Sequence, residues 1–447
     1  MENGKKILIL GAGRSSSSLI EFLLNQAEEQ DWIVFVGDVD EKMAQTKCAG
    51  HPRARTFAID PNDSIERDEH IRSSDVVVSM VPAFLHAEIA EIAIEAGVSV
   101  VTPSYVSPEM ERLHARAVEK GVLVLNEVGL DPGIDHLSAK MVLDRIESEG
   151  GKILEFESYC GGLIAPASDN NPWHYKFSWN PRNVVLAGQG GSATFLAGGQ
   201  ERLVPPHRVF QNPRMVEVGG SVFEGYPNRD SVAYVEKYGL QGVQTLIRGT
   251  LRGNGFCAGW DALVQLGCVR DDAVQRLVQG TSWAEWTRSF LPAEMAHLSL
   301  VDAVSRVTGA SGDALEMLRW LGLFDEVKGP ELTTGTPAQI IQSLLEVKWE
   351  LGPEDRDMIV MWHRFVYGLN GRNYEITSSL KLEGRDSVYT GMSDTVGWPV
   401  ALAAAAILDG TFKQVGVQVP LDRGYYEVML PALERMGVIF QETHREC

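Results

Sequence analysis

Cysteine is scarce in this chain of 447 residues: Cys48, Cys160, Cys257, Cys268 and Cys447 form no C-x-x-C pair and share no regular spacing. That argues against a disulfide framework and against structural zinc, and fits reduced thiols in a cytoplasmic protein. Positive charge is also in deficit. Forty Lys and Arg against sixty Asp and Glu leave a net charge of −20, so nucleic acid or an anionic membrane is not the expected main partner, because either would need a basic surface. Long apolar runs are missing. Residues 7–10 are too few for a signal-peptide core, and the longest later run, residues 400–408, falls short of the ~20 residues that span a bilayer. No G-x-S-x-G elbow, P-loop, H-E-x-x-H or His/Cys cluster occurs, so hydrolase, nucleotide-triphosphatase and metalloenzyme chemistry lack support and no metal is expected. His86 and His136 read as capping or packing residues.

What is present is a rhythm. With 44% hydrophobic and 22% charged residues, the chain suits two or three packed domains. Apolar runs of strand length recur at residues 7–10, 33–36, 56–59, 76–81, 98–102 and 122–125, with helix-patterned segments between most of them. Six such strands in the first 130 residues predict an α/β, Rossmann-type doubly wound parallel sheet, whose ligand crevice lies at the carboxyl ends of the strands. Residues 131–255 and 356–394 carry longer β-like stretches and Gly- and Pro-rich connections, which predict an α+β substrate domain. Residues 256–355 show helical spacing and predict a helical insertion. Residues 395–447, opening with a Trp-Pro-Val-Ala-Leu run, are expected to return and pack on the first domain.

Motifs fall just after the strands. Gly11-Ala12-Gly13-Arg14-Ser15-Ser16 follows the first strand and opens a helix, so its backbone N–H groups suit a pyrophosphate; Ser16 stands where a third glycine is usual. Asp38 ends the second strand, 22 residues beyond Ser16, where a carboxylate would bind the hydroxyls of an adenosine ribose and repel a 2′-phosphate. Asp38 therefore favours NAD, with NADP kept open because Arg14 and Lys42 lie near. Val81-Pro82 and Thr102-Pro103-Ser104-Tyr105 end the fourth and fifth strands and bring hydroxyls to the same rim. The most informative stretch is residues 126–136, Asn-Glu-Val-Gly-Leu-Asp-Pro-Gly-Ile-Asp-His, where Asp131 reads as a helix N-cap and Pro132 as the first helical residue, with Gly129 and Asp131 lining the crevice mouth. Further on, Arg229, Arg248 and Arg252 sit in loops or strand ends of an otherwise acidic chain. Guanidinium forks bind carboxylates bidentately, so the second domain suits a small-molecule substrate bearing several of them.

These segments, with Ser158-Tyr159-Cys160-Gly161-Gly162-Leu163, Tyr175-Lys176-Phe177-Ser178-Trp179 and Tyr226-Pro227-Asn228-Arg229-Asp230-Ser231, resemble the saccharopine dehydrogenase family, most closely its glutamate-forming members, nearly end to end. The resemblance implies a Rossmann domain, an α+β domain that also supports a homodimer, and a helical domain. It implies oxidation of saccharopine to an imine by hydride transfer, then hydrolysis to glutamate and 2-aminoadipate 6-semialdehyde, or the reverse. By similarity, Ala12, Gly13, Arg14, Ser15, Val81, Pro103, Ser104, Leu130, Asp131 and Pro132 would contact the dinucleotide. Ser104, Tyr105, Asp131, Arg229, Thr250, Leu251 and Arg252 would contact saccharopine. Asp131 is the candidate to hold or deprotonate the amine, with Tyr105 and Cys160 near the proton path.

Two departures stand out. NADP-using members typically carry a basic residue after the second strand, where this chain has Gly37-Asp38, and Gly188-Gln189-Gly190-Gly191-Ser192 interrupts what is usually helix. Alternatives are a dehydrogenase acting on another amine-linked carboxylate, such as a carboxylated polyamine or lysine, and a non-catalytic dinucleotide sensor. The pair Arg229 and Arg252 favours a polycarboxylate.

Overall fold

The computed structural model describes residues 4–60 and 64–447. The chain divides into two compact units, residues 1–149 with 388–439, and residues 150–387 with 440–447.

The first unit is built on a seven-stranded sheet. Its strands are β1 (Lys5–Leu10), β2 (Trp32–Asp38), β3 (Ala54–Ala58), β4 (Val76–Ser79), β5 (Ser99–Val101), β6 (Leu123–Leu125) and the late strand Gly416–Gln418. Every pairing is parallel. The spatial order, from one edge, is β3-β2-β1-β4-β5-β6 and then Gly416–Gln418. The direction of winding thus reverses between β1 and β4, the place where such sheets open a crevice. Strands buried on both faces need uninterrupted apolar runs, and Ile7, Leu8, Ile9, Leu10, Val76, Val77 and Val78 are wholly buried. Helices between the strands end where glycine permits a left-handed cap, as at Gly97 and Gly121.

The helix Gly391–Leu408 is long and apolar enough, by length and composition, to cross a membrane. It is instead a core helix of the first unit. Val400, Ala401, Ala403 and Ala404 are fully buried, and its first turn bonds to the helix Ser17–Ala27 that follows β1. Ser18 N–H donates to Ser393 Oγ (3.0 Å), and Ser18 Oγ donates to Asp394 Oδ1 (2.5 Å).

The second unit holds a mixed nine-stranded sheet. Its central strand, β7 (Lys152–Ile164), pairs in parallel with Thr245–Arg252 and antiparallel with Asp357–Leu369. The hairpin strand Arg372–Glu383 follows, and Gln441–Glu446 closes that edge. On the other side come Ser221–Pro227 and Arg214–Val218. The helices Phe256–Leu266, Trp283–Arg288, Leu300–Thr308, Asp313–Leu321 and Pro337–Lys348 belong to this unit. Capping boxes start two of them, Ser282 with Glu285 and Thr336 with Gln339, as their S/T-x-x-E/Q sequences direct.

The division differs from the sequence expectation at three places. The first unit extends to Glu149 rather than 130, because the helix Ile134–Ser148 packs in it, with Tyr426 OH donating to Asp144 (2.9 Å). The helical segment shares one apolar core with its neighbours, since Trp173, Tyr175 and Phe177 cluster with Trp260, Trp286 and Trp349. The returning segment leaves the first unit after Ile439, because its last strand pairs with Arg372–Glu383.

Candidate active site

In the first unit the site grows from the ends of β1, β4, β5 and β6. Gly11 has φ +103°, and a Cβ there would stand 2.9 Å from the Met80 carbonyl, so only glycine lets the turn after β1 pass the end of β4. Ala12 is buried, Gly13 and Arg14 are exposed, and Ser15 is half-buried. The turn therefore presents its backbone at the start of the helix Ser17–Ala27, the arrangement that receives a phosphate. Val81 lies half-buried past the end of β4.

Asp38 turns back onto this loop. Its Oδ2 accepts from Ala12 N–H (2.6 Å) and its Oδ1 from Asp40 N–H (3.0 Å). Lys47 reaches the same turn, donating to the Gly13 carbonyl and to Ser16 Oγ. Burial lowers the Lys47 ammonium to about 8, and Asp38 opposes that fall.

Beyond β5, Pro103, Ser104 and Tyr105 are half-buried. The Tyr105 phenol donates to Asp131 Oδ1 at 3.2 Å, which joins two of the sequence candidates in one pair. Asp131 is partly exposed, whereas Leu130 and Pro132 are buried. Asp131 is not the helix N-cap. The helix begins at Ile134, after Gly133, because the loop first closes on itself: Gly129 N–H donates to the Pro132 carbonyl (2.8 Å) and Gly133 N–H to Asp135 Oδ1 (2.6 Å). Asp131 instead accepts from Tyr105.

Two residues that the sequence offered only as packing or as part of a motif support this rim. His86 Nδ1 lies 2.8 Å from Ser79 Oγ and its Nε2 2.8 Å from Ser104 Oγ, tying β4 to the Ser104 turn. Burial holds its imidazole down to about 4, so it is neutral, with one nitrogen donating and the other accepting. Its place seven residues after Ser79 is the only sequence clue. Glu127 is buried and lies 2.8 Å from His136 Nε2.

The second unit gathers Cys160, Thr250 and Arg252 on one face of its sheet. Cys160 pairs with Thr250, Thr250 with Tyr226, and Arg252 with Glu224 in the strand register, so these side chains share a face. Arg252 is buried, 4% exposed. Its guanidinium lies 5.3, 5.9 and 5.4 Å from the rings of Tyr175, Tyr226 and Phe256. Its Nη1 donates to the Leu251 carbonyl (2.9 Å), and among the described residues its Nε has no hydrogen-bond partner. Glu224, across the ladder, does not pair with it; that carboxylate accepts from the N–H groups of Gly255 (2.9 Å) and Cys257 (2.8 Å) at the start of a helix.

Leu251 differs from its neighbours. Its side chain points to the opposite face, packed with Tyr159, Leu163 and Trp362, because strand residues alternate sides. Only its backbone remains beside Arg252. Arg229 lies in an exposed loop with φ +53°. Among the described residues, no group of three or more His, Cys, Asp or Glu could hold a metal ion.

The chain matches two family models, whose boundary, between residues 125 and 129, falls before the helix Ile134–Ser148 that packs in the first unit. Residues 7–125 match the family described as saccharopine dehydrogenase NADP binding domain, and residues 129–438 the saccharopine dehydrogenase C-terminal domain. The chain is 33% identical to saccharopine dehydrogenase [NADP(+), L-glutamate-forming] of Saccharomyces cerevisiae, over 98% of this chain and 99% of that protein. It is 31% identical to the mitochondrial alpha-aminoadipic semialdehyde synthase of Mus musculus, over 98% of this chain and 48% of that longer protein. The solved structure of apo saccharopine dehydrogenase (L-Glu forming) from Saccharomyces cerevisiae superposes with a TM-score of 0.88 at 32% identity, covering 99% of this chain and all of that one.

These findings overturn the preference for NAD drawn from Asp38. The matched dinucleotide domain is an NADP binding domain, and the fungal relatives are named for NADP(+). The structure supplies a physical reason: both Asp38 oxygens are engaged by backbone N–H groups, and Lys47 brings a cation to the same turn. The carboxylate is therefore not an unopposed negative charge facing a ribose.

Proposed function

This chain belongs to the saccharopine dehydrogenase family, and from that premise we propose that it oxidises saccharopine, with NADP, to L-glutamate and 2-aminoadipate 6-semialdehyde, and catalyses the reverse condensation. Bound at the Gly11–Ser16 turn, the dinucleotide supplies the hydride acceptor; Gly11, Ala12, Gly13, Arg14 and Ser15 would hold it. The single observation that carries the reading is Arg252, a buried guanidinium ringed by aromatic side chains with its Nε unsatisfied. A buried charge without a counter-ion is several kcal/mol unfavourable, on the order of the penalty per ion in real proteins. A substrate carboxylate removes that penalty, and saccharopine has three.

The proton steps belong to Tyr105 and Asp131. As the hydride leaves the ε-carbon of the lysyl half, the secondary amine must lose its proton to become an imine. Asp131 is the acceptor for it, a partly exposed carboxylate oriented by the Tyr105 phenol. Water then adds to the imine carbon, and the C–N bond breaks with the electron pair going to nitrogen, which leaves as the amine of glutamate. Thr250 and Cys160, neighbours of Arg252 on its sheet face, belong to the substrate-binding set in this reading, and Ser104 and Arg229 supply further donors.

The test mixes purified protein with saccharopine and NADP or NAD, follows reduced nicotinamide by absorbance, and assays glutamate against lysine. Reduction with glutamate release, faster with NADP, supports the reading. Tight dinucleotide binding without turnover would move it to another amine-linked carboxylate or to a sensor. Asp131→Asn is expected to lower turnover by about 10²- to 10⁴-fold, the usual worth of a general base, while dinucleotide binding persists.

A further inference from the structure

We propose that Glu127 is a positioning residue that clamps the turn carrying Tyr105 and so sets the Tyr105 phenol against Asp131; this rests on the assignment of that pair to the proton step. Past the ends of β5 and β6 the two chains run side by side for a few residues. Thr102 N–H donates to the Leu125 carbonyl (3.0 Å), Val128 N–H to the Thr102 carbonyl (3.3 Å) and Glu127 N–H to the Ser104 carbonyl (3.0 Å). At Glu127 the backbone takes φ +58°, a left-handed conformation that a side chain bearing Cβ adopts only when its surroundings enforce it. After this residue Val128 N–H turns back to Thr102, and the chain runs on to Asp131, four residues beyond Glu127.

The Glu127 carboxylate continues that pairing. Its Oε1 accepts from Val106 N–H at 3.2 Å. Glu127 therefore holds the residue before Tyr105 through its own N–H and the residue after it through its side chain. Its Oε2 lies 2.8 Å from His136 Nε2, with Glu127 and His136 both essentially inaccessible to solvent. His136 stands on the helix Ile134–Ser148, which begins three residues after Asp131. The clamp thus ties the Tyr105 turn to the element that ends the Asp131 loop. In this proposal the effect of Glu127 passes through Tyr105, whose two chain neighbours it holds.

The experiment is a double-substitution cycle read as kcat, KM for saccharopine and NADP affinity by protein fluorescence. Glu127→Gly and Glu127→Asn both tolerate the left-handed backbone, yet neither reaches Val106, so each serves if the other fails to fold. Both are expected to lower kcat about 10- to 100-fold, the scale of a misplaced reacting group, with NADP affinity within about twofold of the parent. Glu127→Gln, which keeps an oxygen for Val106, recovers most of the loss. Combined with Tyr105→Phe, either short variant is no slower than Tyr105→Phe alone, because the clamp then has nothing left to position. A parental kcat in the short variants, or losses that multiply in the double variant, overturns the clamp while leaving the site assignment standing. A parental kcat in Tyr105→Phe overturns the site assignment itself, and the clamp with it.

Discussion

A methyl group added at Gly397 would stand 2.6 Å from the backbone nitrogen of Leu19, two residues of one packed unit separated by most of the chain. Leu19 lies in the helix Ser17–Ala27 that follows the Gly11–Ser16 turn. Gly397 thus permits a contact beside that turn that no other residue allows. Gly397→Ala is expected to destabilise the protein by about 1–3 kcal/mol, the usual range for overpacking, and to weaken NADP binding as the helix shifts. Calorimetric unfolding and an NADP titration check both; unchanged affinity would separate the packing from the dinucleotide site.

Arg252 divides binding from stability. Arg252→Met keeps the length of the side chain and its packing on Tyr175, Tyr226 and Phe256 while removing a buried charge. KM for saccharopine is expected to rise about 10- to 100-fold, the worth of a charged hydrogen bond, whereas the unfolding midpoint holds or rises. Steady-state kinetics beside a thermal melt decide it, and a fall in stability with unchanged KM would place the guanidinium in the framework instead.

His86 makes stability depend on acid. Burial lowers its folded pKa from 6.5 to about 4, so between those values the unfolded chain binds a proton that the native one does not. Stability from this group is complete above the unfolded value and is lost as pH falls through the window, by about 1.4 kcal/mol per unit at most. His86→Asn is expected to flatten the unfolding midpoint between pH 6.5 and 4.5 relative to the parent.

Lys47, bonded to the Gly11–Ser16 turn, is expected to set an alkaline limit on NADP binding. Its ammonium, lowered to about 8 by burial, is largely neutral above that value in the free protein, and an arriving phosphate favours the charged form. NADP affinity is expected to decline as pH rises past 8. Lys47→Met should bind NADP more weakly at pH 7 and lose the decline; a parental pH profile in that variant would remove Lys47 from the site.

What the sequence by itself determined follows from local rules. Strands β1 to β6 stand where short apolar runs predicted them; for the central strands the reason is that a strand buried on both faces has to be continuously apolar, whereas the edge strand β3 is only half-buried. The Gly11–Ser16 turn, helices within residues 256–355 and β-structure within residues 356–394 were likewise readable from spacing and composition. Tertiary structure decided the rest, since it depends on partners far away in the chain. Asp38 was read as a ribose ligand, and only folding shows its oxygens taken by Ala12 and Asp40. Leu251 shares a motif with Thr250 and Arg252, yet strand alternation sends its side chain to the opposite face. Neither the left-handed turn at Glu127 nor the approach of Gly397 to Leu19 has a local signature, because each exists only once separate segments have been pressed together by the burial of their apolar faces.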